Sequence, residues 1–152
     1  MHLSRRQALK QTAVVAGLLA STGLFPQYAF AFNKDAFEAK SIADTLKALG
    51  ASGLSASPDV MLTAPDIAEN GAVVPLAVST TLTGVKRLLV LVEKNPSALI
   101  ASFNTSDSVE SAFSIRAKMG QSSDVYAVAV MNDGKALFAK KEVKVTLGGC
   151  GG

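Results

Sequence analysis

Turn signals recur along this chain at intervals that suit short strands and little else. Asn70-Gly71, Thr83-Gly84, Lys94-Asn95-Pro96, the stretches 104–108 and 120–123, and Asn132-Asp133-Gly134 punctuate its second half. Between them lie "VVPLAVSTTL", "VKRLLVLVE", "ALIASFN", "VESAFSIRAKM", "VYAVAVMN" and "KALFAKKEVKVTL", all rich in β-branched and aliphatic residues. Strands separated by breakers every ~10 residues predict an antiparallel sandwich or small barrel. Pro75 cannot donate a ladder hydrogen bond, so it predicts an edge or a bulge in its strand. Lys86 and Arg87, ahead of "LLVLV", read as the solvated start of a strand rather than a binding patch.

One helix precedes this region. In "DAFEAKSIADTLKAL", residues 35–49, Asp35 can cap the start, and Phe37, Ile42, Leu46 and Leu49 fall near one face. Gly50 and Gly53 can end it, and its apolar stripe packs on the parent domain. No repeat or low-complexity linker interrupts the chain before Leu147, which predicts one domain with a tail.

The amino-terminal stretch has a separate purpose. Ser4-Arg5-Arg6-Gln7-Ala8-Leu9-Lys10 resembles a twin-arginine export signal, with Ala8 where that motif usually carries Phe. Thr12 to Leu24 is apolar but short of a bilayer span, and Ala29-Phe30-Ala31 has the small-x-small pattern of a signal-peptidase site. Cleavage after Ala31 divides the chain into a signal (1–31), a sandwich domain (32–147) and a tail (148–152). The formal charge of +3 leaves with Arg5, Arg6 and Lys10, so twelve basic residues then balance twelve acidic ones. That balance gives no support to a nucleic-acid partner or to membrane insertion.

The remaining chain holds no histidine and no tryptophan, and Cys150 is its only cysteine. Ser-His-Asp and Cys-His catalysis are therefore impossible, as are the usual zinc and copper sites. No loop has the ligand spacing of an all-oxygen ion site, and no phosphate-binding glycine pattern occurs. Acids such as Asp66, Glu69, Asp107 and Glu110 sit at turns, where capping and solvation account for them. The expectation is a protein that is not an enzyme and has neither metal nor cofactor.

What chemistry remains lies in "GGCGG". Gly148, Gly149, Gly151 and Gly152 flank Cys150 and leave the thiol as the only side-chain function. Glycine has the least restricted backbone of any residue. The five residues 148–152 reach roughly 17 Å when extended, comparable with the ~14 Å radius of gyration expected of the domain. The pattern predicts a flexible carrier arm with a reactive sulfur near its tip, slim enough for another protein's narrow active site. A free thiol has a pKa near ~8.5. No cationic neighbour in sequence lowers it, so activation must come from partner enzymes. Joining the thiol to another reduced sulfur also releases two electrons, which an external oxidant must take.

These residues resemble the SoxY family, the sulfur-carrying subunits of the periplasmic thiosulfate-oxidising (Sox) system. The resemblance rests on the twin-arginine signal, "IAENGAVVPLAV" from Ile67, "LLVLVEKNP" ending at Pro96, "ALIASF" from Ala98, "RAKM" from Arg116, and "VKVTLGGCGG". It implies an immunoglobulin-like antiparallel β-sandwich, paired with a SoxZ-like subunit as a heterodimer. It also implies that Cys150 is the covalent attachment point and that the four glycines form the arm. The partners it implies are a haem-containing thiosulfate-coupling enzyme, a sulfate-releasing hydrolase and a sulfane-oxidising enzyme. Two other readings stand beside it. One compares the chain with β-grasp sulfur carriers, which end in Gly-Gly but work in the cytoplasm. Alternatively, it is an exported structural sandwich that dimerises through a Cys150 disulfide. A dithiol oxidoreductase would need the Cys-x-x-Cys pair that this chain lacks.

Overall fold

The computed structural model describes residues 33–106 and 110–146. Two short helices come first, α1 (Lys34–Glu38) and α2 (Ile42–Ala48). Nine strands follow: β1 (Ser52–Ala56), β2 (Val60–Thr63), β3 (Ile67–Ala68), β4 (Val74–Thr80), β5 (Val85–Val92), β6 (Leu99–Asn104), β7 (Ala112–Ala117), β8 (Ser123–Met131) and β9 (Lys135–Val145). They form an immunoglobulin-like β-sandwich. The larger sheet runs β1-β9-β8-β5-β6, with β3 also on β9, and the smaller runs β2-β4-β7. Pairing is antiparallel except where β1 and β3 lie parallel to β9.

Two apolar layers hold this arrangement. Between the sheets, Val74, Leu76 and Val78 of β4 meet Leu88, Val90 and Val92 of β5 and Val125, Ala127 and Ala129 of β8. On the opposite face of the larger sheet, Leu89, Leu91, Val128 and Val130 pack with Leu46 of α2 and Ala36 of α1. β5 is thus covered on both faces, which is why "LLVLV" is a continuous apolar run rather than an alternating one. Lys86 remains exposed at its start, as the sequence implied.

The helical region differs from the single helix predicted over 35–49. It breaks at Ala39–Ser41, where Ser41 takes extended backbone angles and caps α2. The Ser41 hydroxyl accepts from the Asp44 N–H (3.1 Å) and donates to the Asp44 carboxylate (2.6 Å). A serine followed three residues later by an acid is a helix-start signature, and here it overrides the continuous apolar stripe. Asp35 is not the cap of the first helix. Asn33 is, accepting from the Ala36 N–H at 3.0 Å. Gly50, with φ +72°, ends α2, but Gly53, with φ +66°, lies within β1 where its register with β9 shifts.

Pro75 needs a similar refinement. Its strand, β4, is the centre of the smaller sheet rather than an edge. However, β2 pairs with β4 only from Ala77 onward, so Pro75 lies beyond the last β2 partner while standing opposite Arg116 of β7.

Candidate functional site

Cys150, Gly148, Gly149, Gly151 and Gly152 lie outside the described residues, as does the predicted signal segment 1–31. What the structure places is the root from which Cys150 follows. β9 runs antiparallel to β8 as far as Val143, opposite Ser123, and Val143 is fully buried. Beyond that pair three neighbours take over. β3 lies alongside, with Ile67 opposite Lys144 and Ala68 opposite Val145. The Lys144 N–H donates to the Asp66 carbonyl (3.0 Å) and the Thr146 N–H to the Ala68 carbonyl (3.1 Å). On the other flank the Val145 N–H donates to the Ser122 hydroxyl (2.9 Å). Each backbone donor from 144 to 146 is therefore paired, and β9 is held as far as the last described residue.

Gly71 completes the clamp. A Cβ there would sit 2.4 Å from the Met119 carbonyl oxygen and 2.8 Å from a Val145 methyl. The Met119 N–H also donates to the Gly71 carbonyl at 2.7 Å. Asn70-Gly71 reads as a simple turn in the sequence, yet this glycine is required by close approach and not by a positive φ. Lys141 braces the same region from the half-exposed flank of β9. Its ammonium pairs with Asp66 (2.9 Å) and donates to the Ala64 carbonyl (2.7 Å), tying the β2–β3 connection to β9. Sequence reasoning assigned Asp66 to a turn and missed Ser122 and Lys141 altogether, because long-range partners leave no local pattern.

Groups with shifted ionisation lie elsewhere on β8 and β9 and at the hairpin between them. The Asp124 carboxylate accepts from the Lys140 ammonium at 2.9 Å and holds its pKa up. Burial, and then the Glu93 carboxylate, raise the pKa of Tyr126. The Lys135 backbone N–H, donating to the Asp133 carboxylate in the hairpin turn, holds that pKa down. These are structural pairs on exposed or half-exposed strands. A groove of about 840 Å³ on the smaller sheet, lined in part by Pro65, Pro75, Ser114 and Arg116, contains no acid–base couple. Among the described residues, no group of three or more His, Cys, Asp or Glu side chains could hold a metal ion. No helix among them is long and apolar enough to cross a membrane.

Fold and root together define an immunoglobulin-like domain whose last strand is braced at its end. The family described as "Sulfur oxidation protein SoxY" matches residues 46–150, most of the chain, and its match reaches Cys150. The sulfur carrier protein SoxY from Chlorobium limicola f thiosulfatophilum is similar in structure, with TM-score 0.64 and 31% identity. That alignment covers 70% of this chain and 97% of the other. The chain belongs to the SoxY family. A superoxide reductase (neelaredoxin) variant from Ignicoccus hospitalis shares the fold at TM-score 0.50 and 17% identity, over 57% of this chain and 79% of its own. The sequence matches no curated protein.

Proposed function

We propose that this protein is a carrier in thiosulfate oxidation, holding sulfur intermediates on the Cys150 thiol and presenting them to partner enzymes without itself catalysing their conversion. Its membership of the SoxY family supports the sulfur-oxidation role. The observation that carries the finer reading is that the family match ends on the chain's only cysteine. That cysteine stands four residues beyond Thr146, the last residue of the clamp.

Loading joins the thiol to thiosulfate. The Cys150 S–H loses its proton, a sulfur–sulfur bond forms to the terminal sulfur of thiosulfate, and two electrons leave for a haem-containing oxidoreductase. The product is a cysteine S-thiosulfonate. Hydrolysis by a second enzyme then breaks the bond between the sulfonate and its neighbouring sulfur. Water supplies the oxygen, sulfate and a proton depart, and a cysteine persulfide stays on the carrier. A sulfane-oxidising enzyme then takes electrons from the remaining outer sulfur while water supplies oxygen, and hydrolysis releases that sulfur as an oxyanion and returns the Cys150 thiol. Gly148, Gly149, Gly151 and Gly152 add no side-chain bulk beside Cys150, which lets the segment thread a narrow opening.

The clamp gives this scheme its mechanics. Because β9 is fixed through Thr146, a partner meets the thiol within ~14 Å of a known point, so search is confined to four residues of chain. The same reading includes export by the twin-arginine route, cleavage after Ala31, a periplasmic location and a SoxZ-like partner subunit. Cys150→Ser tests it: folding and partner-subunit binding stay as in the wild type, while thiosulfate-dependent turnover is lost. Wild-type turnover in that variant would end the proposal.

A further inference from the structure

The helices α1 and α2 pack on the outer face of the larger sheet, whereas the outer face of the smaller sheet carries the groove of about 840 Å³. Val74, Leu76 and Val78 of β4 are buried between the sheets, so Pro75 and Ala77 point outward. Register puts their partners on the same face. Arg116 stands opposite Pro75, while Ser114 and Thr63 flank Ala77 on its two sides. All five residues line the groove. After Thr63 the chain turns away, with the Ala64 carbonyl accepting from Lys141 of β9, and this leaves room beside Pro75.

Arg116 is the one charged residue in the lining. It is exposed, and its guanidinium has no ion pair among the described residues. Lys118, two residues further along, is exposed as well. Asp66, which follows the groove residue Pro65, has its carboxylate paired with Lys141 at 2.9 Å. The groove is therefore electropositive, with the Thr63 and Ser114 hydroxyls available as donors. A guanidinium fork beside hydroxyls suits an anion whose charge is spread over several oxygens.

The loaded chain itself provides such an anion. An S-thiosulfonate on Cys150 ends in a sulfonate, one negative charge shared by three oxygens. Reach permits the encounter. Gly71 lies against both the Met119 carbonyl and a Val145 methyl, and Met119 follows Arg116 by three residues, roughly 10 Å of strand. Cys150 follows Thr146 by four residues, which extend to ~14 Å. So short a tether holds the sulfonate at roughly millimolar effective concentration, enough to fill a weak site. Glycines on both sides of Cys150 bring no side chain to collide with Pro75 or Ala77.

We propose that this groove is a dock for the segment 147–152 in its thiosulfonate-loaded form, with Arg116 pairing to the sulfonate. The inference rests on the carrier reading above and adds what becomes of the adduct between enzymes. Docked, its sulfur–sulfur bonds lie against the smaller sheet and are shielded from stray thiols. Once sulfate has been released, the persulfide has no sulfonate to offer Arg116, and the segment leaves the groove.

The test makes the adduct without an enzyme. The Cys150 thiolate of the mature protein attacks tetrathionate, displaces thiosulfate and keeps the other half as the S-thiosulfonate. A neutral thiol, 2-mercaptoethanol, is then added, and loss of the adduct is followed by intact mass. Arg116→Gln should speed that loss about tenfold. Ala77→Leu, which fills the groove and keeps the charge, should speed it too. Lys47→Gln, which removes a cation on α2, should behave as the wild type. A methyl disulfide on Cys150, which carries no sulfonate, should react at the same rate in every variant. Wild-type rates in either groove variant, an equal acceleration in Lys47→Gln, or a methyl disulfide that responds to Arg116→Gln would overturn the dock. Because the adduct is made chemically, none of these results touches the carrier reading, which falls instead if Cys150→Ser keeps its turnover.

Discussion

Strand β5 carries five consecutive residues, Leu88 to Val92, with no exposed surface, whereas β9 leaves Lys140, Glu142 and Lys144 exposed along one face of its second half. Both belong to the larger sheet, with only β8 between them. β5 sits between two apolar layers, and every side chain in its middle contributes to one or the other. β9 has β8 on one side and, on the other, two short parallel strands, with Lys141 tied to the connection ahead of the second. The difference separates two tasks within one sheet. A strand covered on both faces fixes how stable the domain is, and a braced strand whose second half has one wet face fixes where the next residues of the chain begin. Substitutions in the first should register in folding, and substitutions around the end of the second mainly in how Cys150 is reached.

The largest effect should come from β5. Leu88→Ala opens a cavity between the sheets and Leu91→Ala one beneath the helices, each costing ~2–5 kcal/mol in chemical denaturation. Loading of Cys150 in the fraction that remains folded should be normal. A stability loss confined to one of the two variants would break the claim that β5 serves both layers equally.

Gly71→Ala comes next. The new methyl would meet a backbone oxygen at 2.4 Å, an atom that cannot rotate away, so the clamp must shift at a cost of ~1–3 kcal/mol. Enzymatic loading should then fall by more than the lost stability explains, measured under conditions where the variant is fully folded. Ser122→Ala is milder. It leaves the Val145 N–H without its acceptor and should cost ~1 kcal/mol, the lower end for an unsatisfied donor because the site is only part-buried.

The smallest effect concerns pH. Lys140 and Tyr126 have pKa values raised above the ordinary 10.5 and 10.0. A raised value means that the protonated form is favoured in the folded protein, so its stabilisation is complete below those ordinary values and fades as pH rises through the folded ones. Thermal melts should therefore show a slight extra destabilisation above about pH 10 that Asp124→Asn, which removes a cause of both shifts, reduces. An equal loss in the variant would place the effect elsewhere.

Much of the sandwich was legible because its strands carry their own boundaries. Gly84 and Gly134, with φ +71° and +88°, sit in turns that the sequence marks by Thr83-Gly84 and Asn132-Asp133-Gly134. "VKRLLVLVE" begins at β5 and overruns it by one residue. β1, β2 and β3 left a weaker mark. "SGLSA" is exposed along its whole length and is a strand because β9 offers an edge, not because of its own composition. β3 is two residues long for the same reason. The break between the helices was signalled by Ser41 and Asp44, a local cue that the apolar stripe from Phe37 to Leu49 obscured. At the candidate site, the tail's composition points directly to Cys150. The clamp behind it depends on contacts between segments far apart in the chain, such as Lys141 with Ala64 and Val145 with Ser122, and no spacing rule encodes those.

The central claim is that Cys150 carries sulfur, and intact mass spectrometry of the protein purified from cells oxidising thiosulfate tests it most directly, with and without a thiol reductant. The account predicts sulfur-containing adducts that map to Cys150 and disappear on reduction. An unmodified thiol throughout, or no product other than a Cys150-linked dimer, would contradict it.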